Sequence, residues 1–531
     1  MALSLALMLG MAACGGADTP QGTVGFVEGF LGGVVTDEPR AALVGRDALS
    51  AGGTAADAAV AAYFTLAVTL PSTASLGGGG ICVVHDRESG TVEALDFLPR
   101  APQTNGAAVP RPVAMSGNVR GLFALHARYG RLRWGQLVAP AENLARFGVQ
   151  VPRALARDMA PLADALAADP ETRRVFAASD GPGLVGEGDF LRQLDLAAAI
   201  SQIRARGPGV MYSGTLARTL AEATRAAGGA LTIDDLRAYT PTWRPTMEVE
   251  FGNLTAHFAP PPAAGGAVAA QMWAMLLDGD DYEDADPEER PRVLAAAAMQ
   301  AFLDRDRWMA ADGSSRVAAE SLVEDDWIEE LLAGVQARRP APASATAINA
   351  GRPENPSAAT LIAVDREGSA VACALTLNAP FGTGRMAPGT GILLAAQPGT
   401  GGRGHTALGP MVIVNENVNE VYFAGAASGG VAAPTALVAV AANAYLAEQR
   451  LPAAMAVGRV HHGGVPDLVF HEPQVDAAVV AELRRHGFAV AATPRLGVVS
   501  ALSCSGGLPP KPETCEAVAD PRGFGLAASA E

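Results

Sequence analysis

The feature that most narrows what this chain can fold into is the run from Ala56 to Leu70, which is almost wholly apolar. A helix that is hydrophobic all round has to be covered on several sides, so it belongs inside a layered structure. Pro71 stops the run, and Gly77-Gly78-Gly79-Gly80 then leads into the strand-like Ile81-Cys82-Val83-Val84. A phosphate-binding loop would need a Lys and a Ser or Thr after the glycines, followed by a helix. Neither is present, so the glycines are expected to allow close backbone approach beside a sheet. Upstream, residues 37–62 read as an amphipathic and then a buried helix, broken at Gly52-Gly53.

At 531 residues the chain is too long for one ordinary core and suffices for two or three domain-sized units. Hydrophobic residues at 49% against 18% charged exclude a disordered solvating chain. A formal net charge of −16 removes the basic footprint that nucleic acid requires, and aromatics at 5% leave few platforms for stacking bases. No nucleic-acid partner is expected. An acidic globular protein is.

Residues 1–13, MALSLALMLGMAA, form a short apolar segment ending in small residues before Cys14. It is similar to a secretory leader, with Met11-Ala12-Ala13-Cys14 close to a lipoprotein processing box, although no Lys or Arg precedes it. The expectation is export, to the periplasm or to a membrane through a lipid anchor at Cys14. No apolar span of about 18 residues runs uninterrupted, so no transmembrane helix is expected. None of the five cysteines makes a CxxC or sits at zinc-like spacing with a His; neither a metal site nor a cofactor is expected. Cys504 and Cys515 bracket a Gly/Pro-rich loop that they could close in an oxidising compartment, whereas Cys82 and Cys373 lie in apolar runs and read as buried core.

Residues 119–240 are mainly helical in pattern, with Leu122, Leu125 and Tyr129 on one face; His126, on the same helix, reads as structural. Pro260 to Gly266 reads as a hinge before an apolar helix from Val268 to Leu277, and the acidic cluster at 278–289 as a solvated loop. Residues 334–358 read as an exposed linker. After it come strand-like Thr360–Val364 and Ala370–Leu377 around the turn 365–368, then Met411–Val414 and Val418–Phe423 around 415–417, then a helix opened by Pro434. Helical blocks alternating with hairpins imply a layered α/β arrangement with antiparallel sheets.

Ordered blocks along the chain carry a resemblance. They include GGTAADAAVAA at 52–62, PSTASLGGGGICVVHD at 71–86, SGNVRGLFALHARYGRLRWGQLVAPAENLARFGV at 116–149, MYSGTLARTL at 211–220, GGALTIDDLRAY at 228–239 and PPPAAGGAVAAQM at 260–272. AVDREGSAVACALTLNAPFGTG at 363–384, TGILL at 390–394, VGRVHH at 457–462 and ADPRGFGLA at 519–527 follow. Together they resemble the gamma-glutamyltransferase (gamma-glutamyltranspeptidase, glutathione hydrolase) family of N-terminal-nucleophile hydrolases. The resemblance implies an α/β fold, a four-layer αββα sandwich, made as a proenzyme that cuts itself and exposes a Thr whose hydroxyl attacks a γ-glutamyl carbonyl. It divides the chain into a leader at 1–22, a large-subunit-like region at 23–356 whose linker is 334–356, and a small-subunit-like region at 357–531. The fragments would stay associated, and the partner would be a small amide or peptide.

Site residues follow one by one. Counting back from Asp365 puts the family's nucleophile position at Ala358, which has no hydroxyl. Ser357 is the nearest upstream candidate, and Thr360 lies two residues downstream. A one-residue shift turns a strand side chain to the other face unless a bulge corrects it. Thr376 and Asn378 match the TLN segment, where Thr assists the nucleophile and Asn binds the substrate's amino group. Gly429 and Gly430 match the oxyanion pair, and Gln397 a substrate-contacting Gln. The family's amine-pairing Asp falls on Thr400, its carboxylate-binding Ser pair on Thr406 and Ala407, and its Arg on Leu98, with Arg100 two residues away. Losing charge pairing around an α-amino acid head group costs several kcal/mol of recognition. The expectation is therefore an amide hydrolase or acyltransferase of altered specificity, or alternatively an inactive homologue serving as a binding or structural module.

Overall fold

The computed structural model describes residues 30–103, 112–179, 181–278, 281–337, 358–398 and 407–530. The leader with Cys14, most of the linker, and Ser357, Thr400 and Thr406 lie outside the described residues.

Thirteen strands build two antiparallel sheets. In chain order they are β1 (Gly32–Thr36), β2 (Gly79–Asp86), β3 (Thr91–Phe97), β4 (Thr242–Pro245), β5 (Met247–Phe251), β6 (Leu254–Phe258), β7 (Ala358–Asp365), β8 (Ala370–Thr376), β9 (Met411–Asn415), β10 (Glu420–Ser428), β11 (Val498–Leu508), β12 (Cys515–Ala519) and β13 (Leu526–Ala530). The first sheet runs β13-β1-β7-β8-β2-β3-β4 and the second β12-β11-β10-β9-β6-β5. Side-chain alternation then sets three apolar layers. Val35, Ile81, Val83, Ile362, Val364, Val412 and Leu502 fill the space between the sheets. The other face of the first sheet meets helices that include Ala55–Thr69, and the other face of the second meets Ala264–Leu277, Arg290–Trp308 and Ala433–Tyr445. This is the four-layer αββα sandwich.

The apolar run is the helix Ala55–Thr69, and every residue of it is buried. Thr54 caps it in a reciprocal box with Asp57, and Asp365 Oδ2 accepts the Ala55 N–H at 2.9 Å, placing a carboxylate at the positive helix end. Asp57 Oδ2 also accepts the N–H groups of Arg131 and Leu132, so one buried carboxylate ties this helix to the next. The glycine run does permit close approach: a Cβ on Gly78 or Gly80 would lie 2.5 or 2.6 Å from a carbonyl oxygen of β8. His126 Nε2 meets Leu132 O at 2.8 Å, in keeping with a structural histidine. Among the described residues no helix is long and apolar enough to cross a membrane.

Two readings change. Cys82 and Cys373 are more than buried core: β2 and β8 run side by side with these residues directly opposite, and they form a disulfide with Cα atoms 4.0 Å apart. Their pairing depends on a register 291 residues long-range, which no local pattern encodes. The strand expected at 418–423 starts later and runs further, Glu420–Ser428, because β11 pairs along its whole second half. Cys504 and Cys515 are bridged, closing the loop between β11 and β12.

Candidate functional site

Strand β7 begins at Ala358, opposite Thr376 of β8 and next to β1 on its other side. Its first residue lines a narrow cleft shared with Ser428 and Gly429 at the end of β10. The cleft therefore opens where both sheets present strand ends, with Ala358 and Gly429 contributed from the chain after residue 357 and Asp37, Arg157 and Asp158 from the chain before it.

Thr360 is not a free hydroxyl. It is fully buried, its Oγ1 is 2.7 Å from Ser500 Oγ across the sheet gap, and its N–H donates to Asp37 Oδ2 at 2.7 Å. Thr376 is fully buried, and its Oγ1 accepts the Asn378 N–H at 2.8 Å. Asn378 has φ of +63°, and its amide group donates to Ala396 O at 2.9 Å and Pro99 O at 3.4 Å. Its Oδ1 is buried without a hydrogen-bond partner. Gln397 is fixed through its own N–H to Pro112 O and its Nε2 to Val113 O.

Gly429 and Gly430 both have left-handed backbones, φ +119° and +71°. A Cβ on Gly429 would come within 2.7 Å of Gly497 Cα, so the two loops need glycine here. Pro434, in the first turn of Ala433–Tyr445, follows at once, so this turn sits at the amino end of a 13-residue helix, where backbone dipoles favour negative charge. Behind it, Arg459 Nη1 donates to Leu496 O and Gly497 O, and its Nη2 pairs with Asp520 at 2.6 Å. Glu472 accepts from Leu496 N–H and Arg459 N–H and pairs with Arg522 at 2.6 Å. Arg459, Glu472 and Asp520 are buried, and the network locks the loop that carries Gly497.

Arg100 pairs with Asp96 at 3.1 Å, donates to Thr240 O and lies over the Tyr239 ring, which holds it outside the cleft lining. Leu98 is buried between the sheets. The cleft's charges come from residues that sequence reading did not single out. Arg157 pairs with Asp158 at 2.8 Å, and Asp158 accepts from Ser72 Oγ at 2.8 Å. Arg495 joins them from the other side. Burial pushes the Asp37 carboxyl up to about 6, against the opposing pull of the Thr360 hydrogen bonds and the Arg157 charge. The only local signal for Asp37 was an acidic residue before Glu38-Pro39, where Glu38 itself caps the helix Pro39–Ser50. Among the described residues the cleft lining holds no His or Cys.

A family model described as Gamma-glutamyltranspeptidase matches residues 41–530. The glutathione hydrolase proenzyme of Escherichia coli is 28% identical over 484 residues, covering 82% of each chain. The glutathione hydrolase proenzyme of Pseudomonas aeruginosa is 27% identical over 543 residues, covering 93% of this chain and 94% of its own. Among solved structures, cephalosporin acylase from Bacillus halodurans superposes with a TM-score of 0.81 over 97% of this chain and 99% of its own; at 22% identity this speaks for the fold.

Proposed function

The chain belongs to the gamma-glutamyltranspeptidase family, and from that membership we propose an amide hydrolase or acyltransferase whose acyl specificity differs from that for glutathione. The observation that carries the reading is the meeting of Ala358, Gly429, Asp37 and Arg157 in one cleft, with a glycine turn suited to an oxyanion. Ser357, one residue before the described strand, is the proposed nucleophile. Hydrolysis of the Pro356–Ser357 peptide bond, consuming one water, frees its α-amine. That amine takes the hydroxyl proton as Ser357 Oγ attacks the substrate carbonyl, and the proton passes to the leaving amine as the amide C–N bond breaks. The resulting acyl ester goes to water or to an acceptor amine, and the Ser hydroxyl is restored. Gly429 and Gly430 amides stabilise the oxyanion, Thr376 supports the nucleophile, and Asn378 Oδ1 accepts an N–H of the acyl group. Gln397, Thr400 and Thr406 complete the proposed substrate side, with Arg157 and Arg495 supplying positive charge within the cleft.

A second reading rests on the count back from Asp365, which puts the family's nucleophile position at Ala358. A cut after Pro356 is also disfavoured by that residue's fixed φ, and a silent binding module would keep the same cleft. Intact mass and N-terminal sequencing after long incubation at neutral pH separate the two. Fragments beginning at Ser357, abolished in Ser357→Ala, support the enzyme; a single unbroken chain overturns it. We also read residues 1–22 as an export leader and 23–356 and 357–531 as the large and small units, which cleavage at Ser357 would define.

A further inference from the structure

At the far end of β10 from the cleft, the free edge of the second sheet gathers carboxylates around a buried imidazole. On β5, Met247, Val249 and Phe251 pack toward the helices, so Glu248 and Glu250 project from the face that looks at the first sheet. On β6, Ala256 and Phe258 take the helix side, and His257 shares the other face, directly opposite Glu248. Glu416 enters from the turn after β9. His85 of β2 has the same parity as Ile81 and Val83, which line the inter-sheet core, and both of its ring nitrogens are buried without a hydrogen-bond partner.

His257 is 1% exposed. Its Nδ1 is fixed by Thr246 Oγ1 at 2.8 Å, which orients the ring as an outer-shell partner orients a metal-binding histidine. Its Nε2 is buried without a hydrogen-bond partner, although Glu416 Oε1 is only 3.2 Å away. One donor atom from each of Glu248, His257 and Glu416 lies within 4.8 Å of the others. Bonds of about 2.0–2.2 Å to a common ion need donors somewhat closer, a change within rotamer reach of two half-exposed glutamates.

We infer that Glu248, His257 and Glu416 form a binding site for one divalent transition-metal ion of the Zn2+ type. One imidazole nitrogen with carboxylate oxygens suits such an ion, and the exposed side leaves room for its remaining waters. The site clasps the β5–β6 hairpin to the β9–β10 turn, and these come from opposite sides of the linker at 334–356. Its role is structural, since the cleft lies at the other end of β10.

The test is a calorimetric titration of the full chain with Zn2+ after dialysis against a chelator. One equivalent should bind, and Glu248→Gln and Glu416→Gln should each weaken binding tenfold or more. Both glutamates are about half exposed at the side chain, so these variants should fold, which circular dichroism without metal checks. Absence of saturable 1:1 binding, or unchanged affinity in both variants, overturns the site.

Discussion

Asp37 is the residue whose ionisation most concerns the cleft. Its carboxyl is raised from 3.8 to about 6, so the folded protein holds this proton more tightly than the unfolded chain does. The sign follows: near pH 3.5 the group costs nothing, stability falls as pH rises from about 4 to 6, and the cost is complete above that. Asp37→Asn, which can still accept the Thr360 N–H, should leave acid stability unchanged and raise stability at pH 7.5 by about 1–2 kcal/mol. Paired denaturant melts at pH 4 and 7.5 check this, and equal gains at both would refute the assignment. Gly429→Ala should cost about 2–4 kcal/mol, because its Cβ would strike Gly497 in a left-handed backbone. Chemical denaturation measures that cost, and turnover of any amide found should fall further than stability alone explains. At this scale the sequence was partly readable. Ala358 follows from counting back from Asp365, whereas the buried, unpartnered Oδ1 of Asn378 is seen only in the structure. Asp37 and Arg157 were not readable, because each reaches the cleft only through tertiary packing that brings the end of β1 and the helix Arg153–Met159 near the start of β7.

Among elements, the loop around Gly497 depends on charges far from it in sequence. Arg459, Glu472, Asp520 and Arg522 form a buried network whose members satisfy one another and four backbone N–H groups, those of Arg459, Leu496, Val499 and Arg522. Removing one partner leaves an uncompensated charge, so Asp520→Ala should destabilise by about 3–5 kcal/mol in a urea melt. A loss under 1 kcal/mol would show the network to be ornamental. The motifs VGRVHH and ADPRGFGLA were visible as blocks, but nothing in them says that Arg459 and Asp520 meet. Hairpins β7–β8 and β9–β10 were legible because alternation and turn residues are local. The ring of Glu248, His257 and Glu416 was not, since three strands and two turns must assemble before it exists.

For the whole molecule, the linker region joins halves that share both sheets. In the first, β7 and β8 lie between β1 and β2; in the second, β9, β10, β11 and β12 lie beside β6 and β5. The Cys82–Cys373 disulfide adds a covalent tie between β2 and β8. If the chain is cut at Ser357, oxidised protein should migrate as one species of about the full 54.0 kDa on a denaturing gel, and only reductant should release two bands. Two bands without reductant, from protein that does cut, would show that this disulfide does not form.

The place of β7 and β8 also bears on how the chain can be made. A nascent chain emerges amino end first, and once β3 is out, β1 and β2 exist with no strands to fill the slot between them. Those strands arrive roughly 280 residues later, which at ~5–20 residues per second leaves two inward sheet edges unpaired for about 15–55 s. The amino-terminal half is therefore a poor candidate for separate production, and a folding helper that shields open edges should raise its yield more than any substitution in the cleft.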